Sequence, residues 1–501
     1  MKLLYVCSEA FPLAKTGGLG DVGGALPRAL LKRGVQLRLL LPAYAATMAK
    51  AKAQGLKLLQ TLTLEGCEVK LWQSRLPGSR VPVWLVDVPE FSAREGGLYG
   101  DASGNDWPDN AWRFYLFSRV AEQIAMNQAG LEFAPDMVHC HDWQTGLVPA
   151  FLNEYAQRPA TVFTIHNLAY RGIFDHATFA ALRLPGHWWH HEVLEFWGNF
   201  SFLKAGLVFA DRLTTVSPSY AEEIQTAAFG CGLEGLLHHR RSVLRGLING
   251  IDMDTWNPGS DKLLEVPYSR RSLKKKAGNK QALQTQMGLS VLADTPLLGF
   301  VGRLVEQKGV HLVLGALPEL LAKGDCQFVA VGTGQHDYEE GLRALAQQFP
   351  GKVAVHIGYD ESLSHRVEAG ADAFLMPSLF EPCGLNQMYS QRYGTVPVCH
   401  YVGGLRDTVV HLAQSQIAGY LSGSLGLDDI DETGFLFSEP SAEALQQTLQ
   451  QMMVCYRQNE LWQRLQHNGM ARDFSWEASC TGYIELYDEL LSARQPMVAR
   501  A

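Results

Sequence analysis

The sequence contains no apolar run long enough to cross a membrane. Of its 501 residues, 47% are apolar and 19% are charged, yet no uninterrupted apolar stretch approaches the roughly 18 residues of a membrane helix. Lys2 and the apolar residues after it resemble the start of a signal peptide, but Ser8 and Glu9 interrupt that stretch. We therefore expect a soluble, cytoplasmic protein without a membrane partner.

Paired cysteines and extended positive charge are also missing. The nine cysteines include no CxxC pair, and several, such as Cys7 and Cys399, lie within apolar runs, as reduced core cysteines do. The formal net charge is −8, and we interpret the short basic cluster at residues 270–276 as a solvated loop. Because nucleic-acid binding depends on clustered Lys and Arg, we expect no nucleic-acid partner.

Two series of strand-like segments, alternating with helical patterns, predict an α/β fold. The first series comprises residues 3–7, 36–41, 81–86, 137–140, 161–165 and 212–216, and the second comprises residues 297–301, 327–331, 353–357, 373–376 and 396–400. Such alternation is typical of βαβ units on a parallel sheet. Since the chain is too long for one comfortable core, we predict two doubly wound, Rossmann-like domains.

A segment rich in Gly and Pro separates the two series. We predict an N-terminal domain over residues 1–248, a linker over 249–278 and a C-terminal domain over 279–476. Residues 477–501 have helical apolar spacing and are expected to cross back to the first domain. Because open parallel sheets bind ligands beyond the carboxyl ends of their strands, the predicted active site is a cleft between two facing domains.

A glycine-rich loop follows the first strand. Residues 15–22 read KTGGLGDV, and helical sequence follows from Gly24. Clustered glycines before a helix allow backbone N–H groups to approach a phosphate, and Lys15 adds a positive charge. Residues 18–23 also match GxGxxG, which raises the alternative of a dehydrogenase. That fingerprint requires a tight turn directly after the strand and a ribose-binding acid after the next strand, and both are missing here.

Polar residues follow two later strands of the first half. His139, His141 and Asp142 come at the end of one strand, and His166 comes at the end of the next. A metal site is an alternative for these histidines, but they lack regular ligand spacing. We predict that His139 packs beneath the sheet and that His141, Asp142 and His166 lie at the rim of the cleft.

In the second half, cations, an aromatic residue and a carboxylate follow successive strands. Arg303 and Lys308 lie across a strand-to-helix loop, where both can converge on a diphosphate; the alternative is two exposed surface cations. Tyr359 is placed to stack on a base. Glu381 is expected to face the sugar, where a carboxylate stabilises positive charge at the anomeric carbon.

Two DxD triplets suggest a metal-bound nucleotide sugar. They are residues 252–254 and 429–431, and neither follows a strand of the predicted sheets. We interpret the first as a turn and the second as part of a polar loop.

Together these motifs resemble those of bacterial glycogen synthases and plant starch synthases, which are retaining glucosyltransferases of the GT-B fold. The resemblance covers nearly the whole chain and is carried by residues 15–22, 141–143, 164–167, 249–252 and 381–385. It implies ADP-glucose as donor, glycogen or another α-1,4-glucan as acceptor, and neither a bound metal nor a cofactor.

The resemblance also implies residue roles. Asp142 and Glu381 would be the carboxylates nearest the reacting centre, with His166 beside them on the glucosyl unit. The implied donor- and substrate-binding residues are Lys15, Gly18, Asn249, Arg303, Lys308, Tyr359, Cys383, Gly384 and Leu385. Of these, Lys15, Arg303 and Lys308 would hold the diphosphate.

Two positions depart from the family pattern. Asn386 stands where the family usually has Thr beside the donor phosphates, and Val402 stands where Thr is common. ADP-glucose remains the first choice of donor, with UDP-glucose as the alternative. A non-catalytic glucan-binding protein with the same fold is a further alternative, although such a protein would be expected to lose cations such as Lys308.

Overall fold

The computed structural model describes residues 1–94, 96–101 and 103–494. By their contacts they divide into two compact units, which are Met1–Gly250 together with the chain from Trp476 onward, and Ile251–Ser475. Among the described helices, none combines the length and apolar character needed to cross a membrane.

The first unit is built on a large, mostly parallel sheet. Its strands are β1 (Lys2–Val6), β2 (Gln36–Pro42), β3 (Lys57–Leu64), β4 (Cys67–Arg75), β5 (Pro82–Asp87), β6 (Met137–His141), β7 (Ala160–Ile165), β8 (Ile173–Phe174), β9 (Glu195–Phe196), β10 (Asn199–Ser201), β11 (Arg212–Thr215) and β12 (Leu244–Gly246). In the described chain, the sheet order is β12-β11-β7-β6-β1-β2-β5-β4-β3, while β8, β10 and β9 form a small separate sheet. The parallel strands follow the doubly wound order of a Rossmann-like domain.

Helices cover the strands of this sheet. They are α1 (Gly18–Lys32), α2 (Ala45–Lys52), α3 (Pro89–Ser92), α4 (Asn110–Ala125), α5 (Leu147–Asn153), α6 (His176–Ala181), α7 (Phe202–Phe209), α8 (Pro218–Glu223) and α9 (Glu234–His239). Short 3₁₀ helices lie at Trp143–Thr145, Gly186–Trp188 and Arg241–Val243.

The second unit has a six-stranded parallel sheet. Its strands are β13 (Leu297–Val301), β14 (Gln327–Gly332), β15 (Val353–Ile357), β16 (Ala373–Met376), β17 (Val396–His400) and β18 (Phe435–Phe437). They lie in the order β15-β14-β13-β16-β17-β18, which is again the doubly wound order. Alternate residues of β13 belong to different buried clusters, Leu298 and Phe300 to one and Leu297 to the other. Both faces of the sheet are therefore covered.

The helices of this unit are α10 (Lys276–Gln286), α11 (Val310–Lys323), α12 (His336–Gln348), α13 (Glu361–Gly370), α14 (Asn386–Arg392), α15 (Gly403–Thr408), α16 (Gln414–Leu421), α17 (Ala442–Tyr456) and α18 (Asn459–Ala471). Additional 3₁₀ helices lie at Arg270–Lys275, Glu306–Lys308 and Leu427–Asp429. The last described helix, α19 (Trp476–Arg494), belongs to the first unit.

α19 completes the core of the first unit. Its apolar face joins the buried cluster formed by β1, β2, β5 and α1 through Trp476, Cys480, Tyr483, Leu486, Tyr487 and Leu490. The periodicity that predicts a helix here also places Ala478 on this face, but Ala478 is exposed.

Residues 251–278 lie within the second unit rather than between two bodies. The ring of Trp256 is stacked with those of His365 and Tyr389, at centroid distances of 3.9 and 3.7 Å. Tyr268 is buried, and its hydroxyl donates to the carbonyl of Tyr393 at 2.6 Å. The Gly and Pro content that predicted a linker therefore reflects a segment of irregular backbone that packs on the domain.

The basic cluster at residues 270–276 is not the loop that was expected. It forms a 3₁₀ helix that leads into α10, and Lys276 is buried. The Lys276 ammonium donates to the Ala369 carbonyl at 2.7 Å and to the Thr395 hydroxyl at 2.6 Å.

Candidate active site

A buried carboxylate organises the glycine-rich loop of the first unit. Glu9 follows β1, and its carboxylate accepts hydrogen bonds from the Thr16 backbone N–H at 2.5 Å, the Thr16 hydroxyl at 2.6 Å and the Tyr99 hydroxyl at 2.7 Å. These bonds satisfy a group that would be costly to bury alone. Sequence analysis gave Glu9 no role at the site; its signal is an acidic residue three positions after the end of β1.

The loop and α1 approach each other closely because α1 begins with glycines. A Cβ at Gly23 would lie 2.1 Å from the Glu9 carbonyl oxygen, and one at Gly24 would lie 2.4 Å from that of Phe11. Gly18, the first residue of α1, is exposed and has no atom near its Cβ position. The surface at Gly18 is therefore open, although the neighbouring Gly17 and Gly20 N–H groups already donate to the Glu9 carboxylate and the Gly17 carbonyl.

Lys15 lies on the same loop as Gly18, as the sequence predicts. Its ammonium is 2.7 Å from a carboxylate oxygen of Asp21 and 5.4 Å from the ring centroid of Phe11. The ion pair is partly exposed, so the charge of Lys15 remains accessible to a second anion.

The ends of β6 and β7 bring histidines and an aspartate together. His139 is fully buried, as predicted, and its ring nitrogens lie 2.7 Å from the Tyr487 hydroxyl and 2.6 Å from the Thr164 hydroxyl. His141 Nδ1 lies 2.9 Å from His166 Nε2.

Asp142 directly follows β6 and has a left-handed backbone with φ of 56°. This conformation is uncommon for a residue other than glycine and is typical of functional sites. The Oδ1 atom of Asp142 accepts the backbone N–H of His166 at 2.7 Å. Asp142 therefore holds the end of β7 in place.

These residues are more buried than a rim position implies. His141 is fully buried, while Asp142 and His166 are only 7% and 8% exposed. Burial raises the pKa of Asp142 to about 7 and lowers the pKa of His166 to about 3. Burial also lowers the pKa of His139 to about 3 and that of His141 well below its usual value, so all three imidazoles are neutral near pH 7.

Asn249 lies near the end of the first stretch of this unit and is 6% exposed. Its side-chain oxygen is buried and accepts no hydrogen bond from the described residues. A buried acceptor without a donor is uncommon in folded proteins.

In the second unit, Lys308 and Glu381 form an ion pair. Lys308 ends the 3₁₀ helix after β13, and Glu381 lies in the loop after β16, which is the neighbouring strand. The Lys308 ammonium and the Ser378 hydroxyl both donate to Glu381 Oε2, at 2.5 and 3.0 Å. Glu381 is 6% exposed, so this pairing offsets the cost of burying its carboxylate.

Arg303 lies on the same loop as Lys308 but is exposed. One guanidinium nitrogen lies 3.3 Å from Gln307 Oε1, and the amide of Gln307 donates to the Phe380 carbonyl at 3.2 Å. Gln307 thus links the loop that carries Arg303 to the loop that carries Glu381.

Residues 382–385 connect Glu381 to α14. Gly384 has a φ of 72°, which a residue with a side chain rarely adopts. The carbonyl of Cys383 lies 2.1 Å from the Cβ position of Gly404, so a larger residue at 404 would displace this segment. Leu385 precedes α14, and the Asn386 amide donates to the carbonyl of Val301, the last residue of β13, at 2.8 Å.

Tyr359 follows β15 and is 80% exposed. Its hydroxyl lies 3.5 Å from a Glu361 carboxylate oxygen, which is a long contact. Its ring is accessible to a flat ligand.

The first DxD triplet forms a turn, as predicted, whereas the second begins in a 3₁₀ helix rather than in a loop. Asp252 Oδ1 accepts the backbone N–H groups of Asp254 and Thr255 at 3.0 and 3.1 Å, which is a turn. Asp429 ends a 3₁₀ helix, and Asp431 lies on the surface 3.6 Å from Arg464.

Comparison with protein families gives two matches. Residues 2–239 match the starch synthase catalytic domain, and residues 289–471 match the glycosyl transferases group 1 family.

Relatives match over the whole chain. The chain is 56% identical to a glycogen synthase of Cellvibrio japonicus, over 98% of this chain and 99% of the relative, and 48% identical to a glycogen synthase of Marinobacter nauticus, over 98% of each. Among solved structures, the catalytic domain of starch synthase IV from Arabidopsis thaliana bound to ADP and acarbose matches with a TM-score of 0.84 and 32% identity, over 98% of this chain and 99% of that one. Sucrose-phosphate synthase from Thermosynechococcus elongatus, at 16% identity and a TM-score of 0.56, shares the fold.

Proposed function

The chain belongs to the family of glycogen and starch synthases, which are hexosyltransferases, and we propose that it transfers glucose from ADP-glucose to the non-reducing end of an α-1,4-glucan with retention of configuration. The observation that supports this most is similarity over the whole chain to proteins named glycogen synthase. The ADP in the related starch synthase structure supports an adenine nucleotide as the leaving group.

In this proposal, cations on the loop after β13 bind the diphosphate. Arg303 offers an exposed planar fork and Lys308 a point charge, both on the loop after β13. The first unit offers a second group of donors at Lys15 and at the exposed start of α1 around Gly18. Tyr359 stacks on the adenine.

Glu381 acts on the glucosyl unit. Because Lys308 and Ser378 both donate to Oε2, Oε1 has no hydrogen-bond partner in the described chain and is left to face the sugar. A fixed carboxylate there stabilises the positive charge that develops at the anomeric carbon. The departing diphosphate takes the proton of the acceptor hydroxyl on the same face, which retains the configuration without a covalent intermediate.

His166, which follows β7, contacts the glucosyl unit as well. His166 is neutral, so it offers a hydrogen bond without a charge that would oppose the developing cation. The side-chain oxygen of Asn249 is buried and accepts no hydrogen bond from the described residues. A sugar hydroxyl can donate that hydrogen bond.

Asn386 is compatible with a role beside the donor phosphates. One of its amide N–H groups donates to the Val301 carbonyl, and the second is free to donate to a phosphate oxygen. The segment formed by Cys383, Gly384 and Leu385 holds this amide at the start of α14.

We propose that the reaction uses no metal ion or cofactor and takes place in the cytoplasm. The carboxylate of Asp252 is already engaged by backbone N–H groups, which supports a structural role for that triplet. All nine cysteines are free thiols, as is usual in a reducing compartment. Activity should therefore persist in excess chelator.

The test is incorporation of radiolabel from ADP-[¹⁴C]glucose into glycogen by the purified protein, with digestion of the product by an α-1,4-specific amylase. We expect label in glycogen that the amylase releases. Equal incorporation from UDP-glucose would contradict the donor preference. Binding of glycogen without incorporation from either donor would indicate a non-catalytic glucan-binding protein.

A further inference from the structure

The hydrogen bond between His141 and His166 has two possible directions. His141 Nδ1 and His166 Nε2 are 2.9 Å apart, and both rings are neutral because they are buried. One ring must therefore donate its single N–H to the lone pair of the other. The choice decides which nitrogen of His166 carries its proton.

The other nitrogen of His141 distinguishes the two directions. His141 Nε2 is buried and has no hydrogen-bond partner among the described residues. If His166 donated, the proton of His141 would lie on Nε2 as a buried N–H without an acceptor. If His141 donates, only a lone pair is left unpaired. Buried N–H groups without acceptors are the rarer of the two in folded proteins.

We propose that His141 is a positioning residue that donates from Nδ1 to His166 Nε2 and so keeps the proton of His166 on Nδ1. His166 then presents a permanent N–H donor on the nitrogen that makes no hydrogen bond with the described residues. The identity of its acceptor rests on the proposed function: it is an oxygen of the glucosyl unit.

The surroundings hold His166 in this orientation. Asp142 Oδ1 binds its backbone N–H at 2.7 Å, while His141 binds its ring. A flip of the ring would break the bond to His141. The ring of His141 itself packs against Tyr5 and His139, at centroid distances of 4.2 and 4.1 Å, which limits its rotation. The titratable groups around the pair are Tyr5 on β1, His139 on β6, Asp142 after β6, and Tyr483 and Tyr487 on α19, which contact His139.

Neutron diffraction from crystals of the intact, ligand-free protein tests the proton positions directly. We expect density for a proton on Nδ1 of His141 and on Nδ1 of His166. A proton on His166 Nε2 would overturn the proposal. This result does not depend on activity, so it stands even if the protein transfers no glucose from ADP-glucose, an outcome that would overturn only the proposed function.

Two substitutions test the consequence for the reaction. In His141→Asn, the amide nitrogen occupies the place of Nδ1 and can still donate, whereas His141→Phe fills the ring volume without a donor. We expect His141→Phe to lower kcat by about 10- to 100-fold, with a smaller change in KM for ADP-glucose. We expect His141→Asn to remain close to the wild type.

The pH profile separates positioning from packing. Without the N–H from His141, the lone pair of His166 Nε2 is more easily protonated, so the acidic limb of the kcat profile should move to higher pH in His141→Phe. It should stay in place in His141→Asn. Equal losses in both variants with an unmoved acidic limb would indicate a structural role only and overturn the proposal.

Discussion

Glu381 has two hydrogen-bond donors on one oxygen, and both come from its own unit. We predict that Glu381→Ala lowers kcat by about 10²-fold or more but largely spares ADP binding, because a group that serves the transition state contributes little to ground-state binding. Radiolabel transfer and calorimetry with ADP measure the two effects. The exposed Glu443→Ala, at the start of α17, is the matched control. Near-normal turnover in Glu381→Ala would contradict the assignment.

The two cations on the loop after β13 should differ in their effects. We predict that Arg303→Ala weakens ADP binding by about 1.5–3 kcal/mol, as the loss of a charge-assisted hydrogen bond does. Lys308→Ala should weaken it at least as much, because it also leaves the Glu381 carboxylate without its cation beside the phosphates. Calorimetry with ADP measures both, with Lys323→Ala on the exposed end of α11 as control. Unchanged ADP affinity in both variants would mean that the diphosphate binds elsewhere.

Asp142 makes the stability of the first unit depend on pH. Its pKa is raised from 3.8 to about 7 by burial, so between these values the folded state holds a proton that the unfolded state releases. Its contribution to stability is therefore complete below about pH 4 and is lost as the pH rises towards 7. The lowered pKa values of His139 and His166 act in the opposite direction, with stability lost as the pH falls below 6.5.

We therefore predict that Asp142→Asn gains stability relative to the wild type as the pH rises from 4 to 7, on the order of a few kcal/mol. The amide oxygen can still accept the His166 N–H, and the histidine contributions cancel because both proteins share them. Calorimetric melting at several pH values measures the difference. The exposed Asp254→Asn should follow the wild type. A constant gap in melting temperature between Asp142→Asn and wild type would show that Asp142 is ionised throughout.

At the scale of single residues, sequence analysis could identify candidate site residues but not their hydrogen-bond partners. Lys15, Arg303, Lys308 and Glu381 could be selected because they follow predicted strands. The hydrogen bonds that hold functional side chains in place come from residues distant in sequence. The bond from Tyr99 to Glu9 is an example, and no local sequence pattern predicts such a bond. The direction of the bond between His141 and His166 likewise depends on burial.

At the scale of elements, the buried parallel strands are the most predictable part. All strands predicted from apolar runs are present, with ends shifted by at most one residue. These runs are continuous because both faces of a parallel sheet are covered. The strands β8, β9, β10, β12 and β18 have only two or three residues each, which is too short for an apolar pattern to be recognised in the sequence.

The hairpin of β3 and β4 was missed for a different reason. Its two-residue turn is Glu65-Gly66, with φ values of 49° and 79°, whereas Asn-Gly or Asp-Gly is the usual signal for this geometry. Its strands lie at the edge of the sheet and are partly exposed, so polar residues interrupt their apolar pattern.

The packing of α19 can be tested through one hydroxyl group. We predict that Tyr487→Phe destabilises the first unit by about 1–3 kcal/mol, because it leaves His139 Nδ1 buried without a partner. Thermal melting measures this, with the exposed Tyr170→Phe as control. An unchanged melting temperature in Tyr487→Phe would mean that this hydrogen bond adds no net stability.

At the scale of the whole molecule, the chain enters and leaves the second unit at adjacent positions. Ile251 pairs with Ser475, and its N–H donates to the Phe474 carbonyl at 2.8 Å. The second unit is therefore one continuous segment with neighbouring ends, whereas the first is assembled from two separate segments.

We predict that residues 251–475, produced alone, fold and bind ADP but transfer no glucose, because Lys15, Asp142 and His166 belong to the other unit. Calorimetry and the radiolabel assay measure the two properties. Arg303→Ala in the same fragment should weaken the binding. A folded fragment that does not bind ADP, beside an intact protein that does, would contradict the assignment of the nucleotide to this unit.

The position of α19 in the chain also sets the order in which the protein can fold during synthesis. Residues 1–250 emerge from the ribosome first, but the helix that completes their core is the last described element to be translated. The second unit has all of its residues before then, so it can fold first, although domains generally fold in order from the N-terminus. Until α19 has been translated, the apolar residues of the first unit that pack against it remain uncovered. A premature stop codon just before α19 would therefore damage the unit formed by residues 1–250, although it lies more than 200 codons downstream of them.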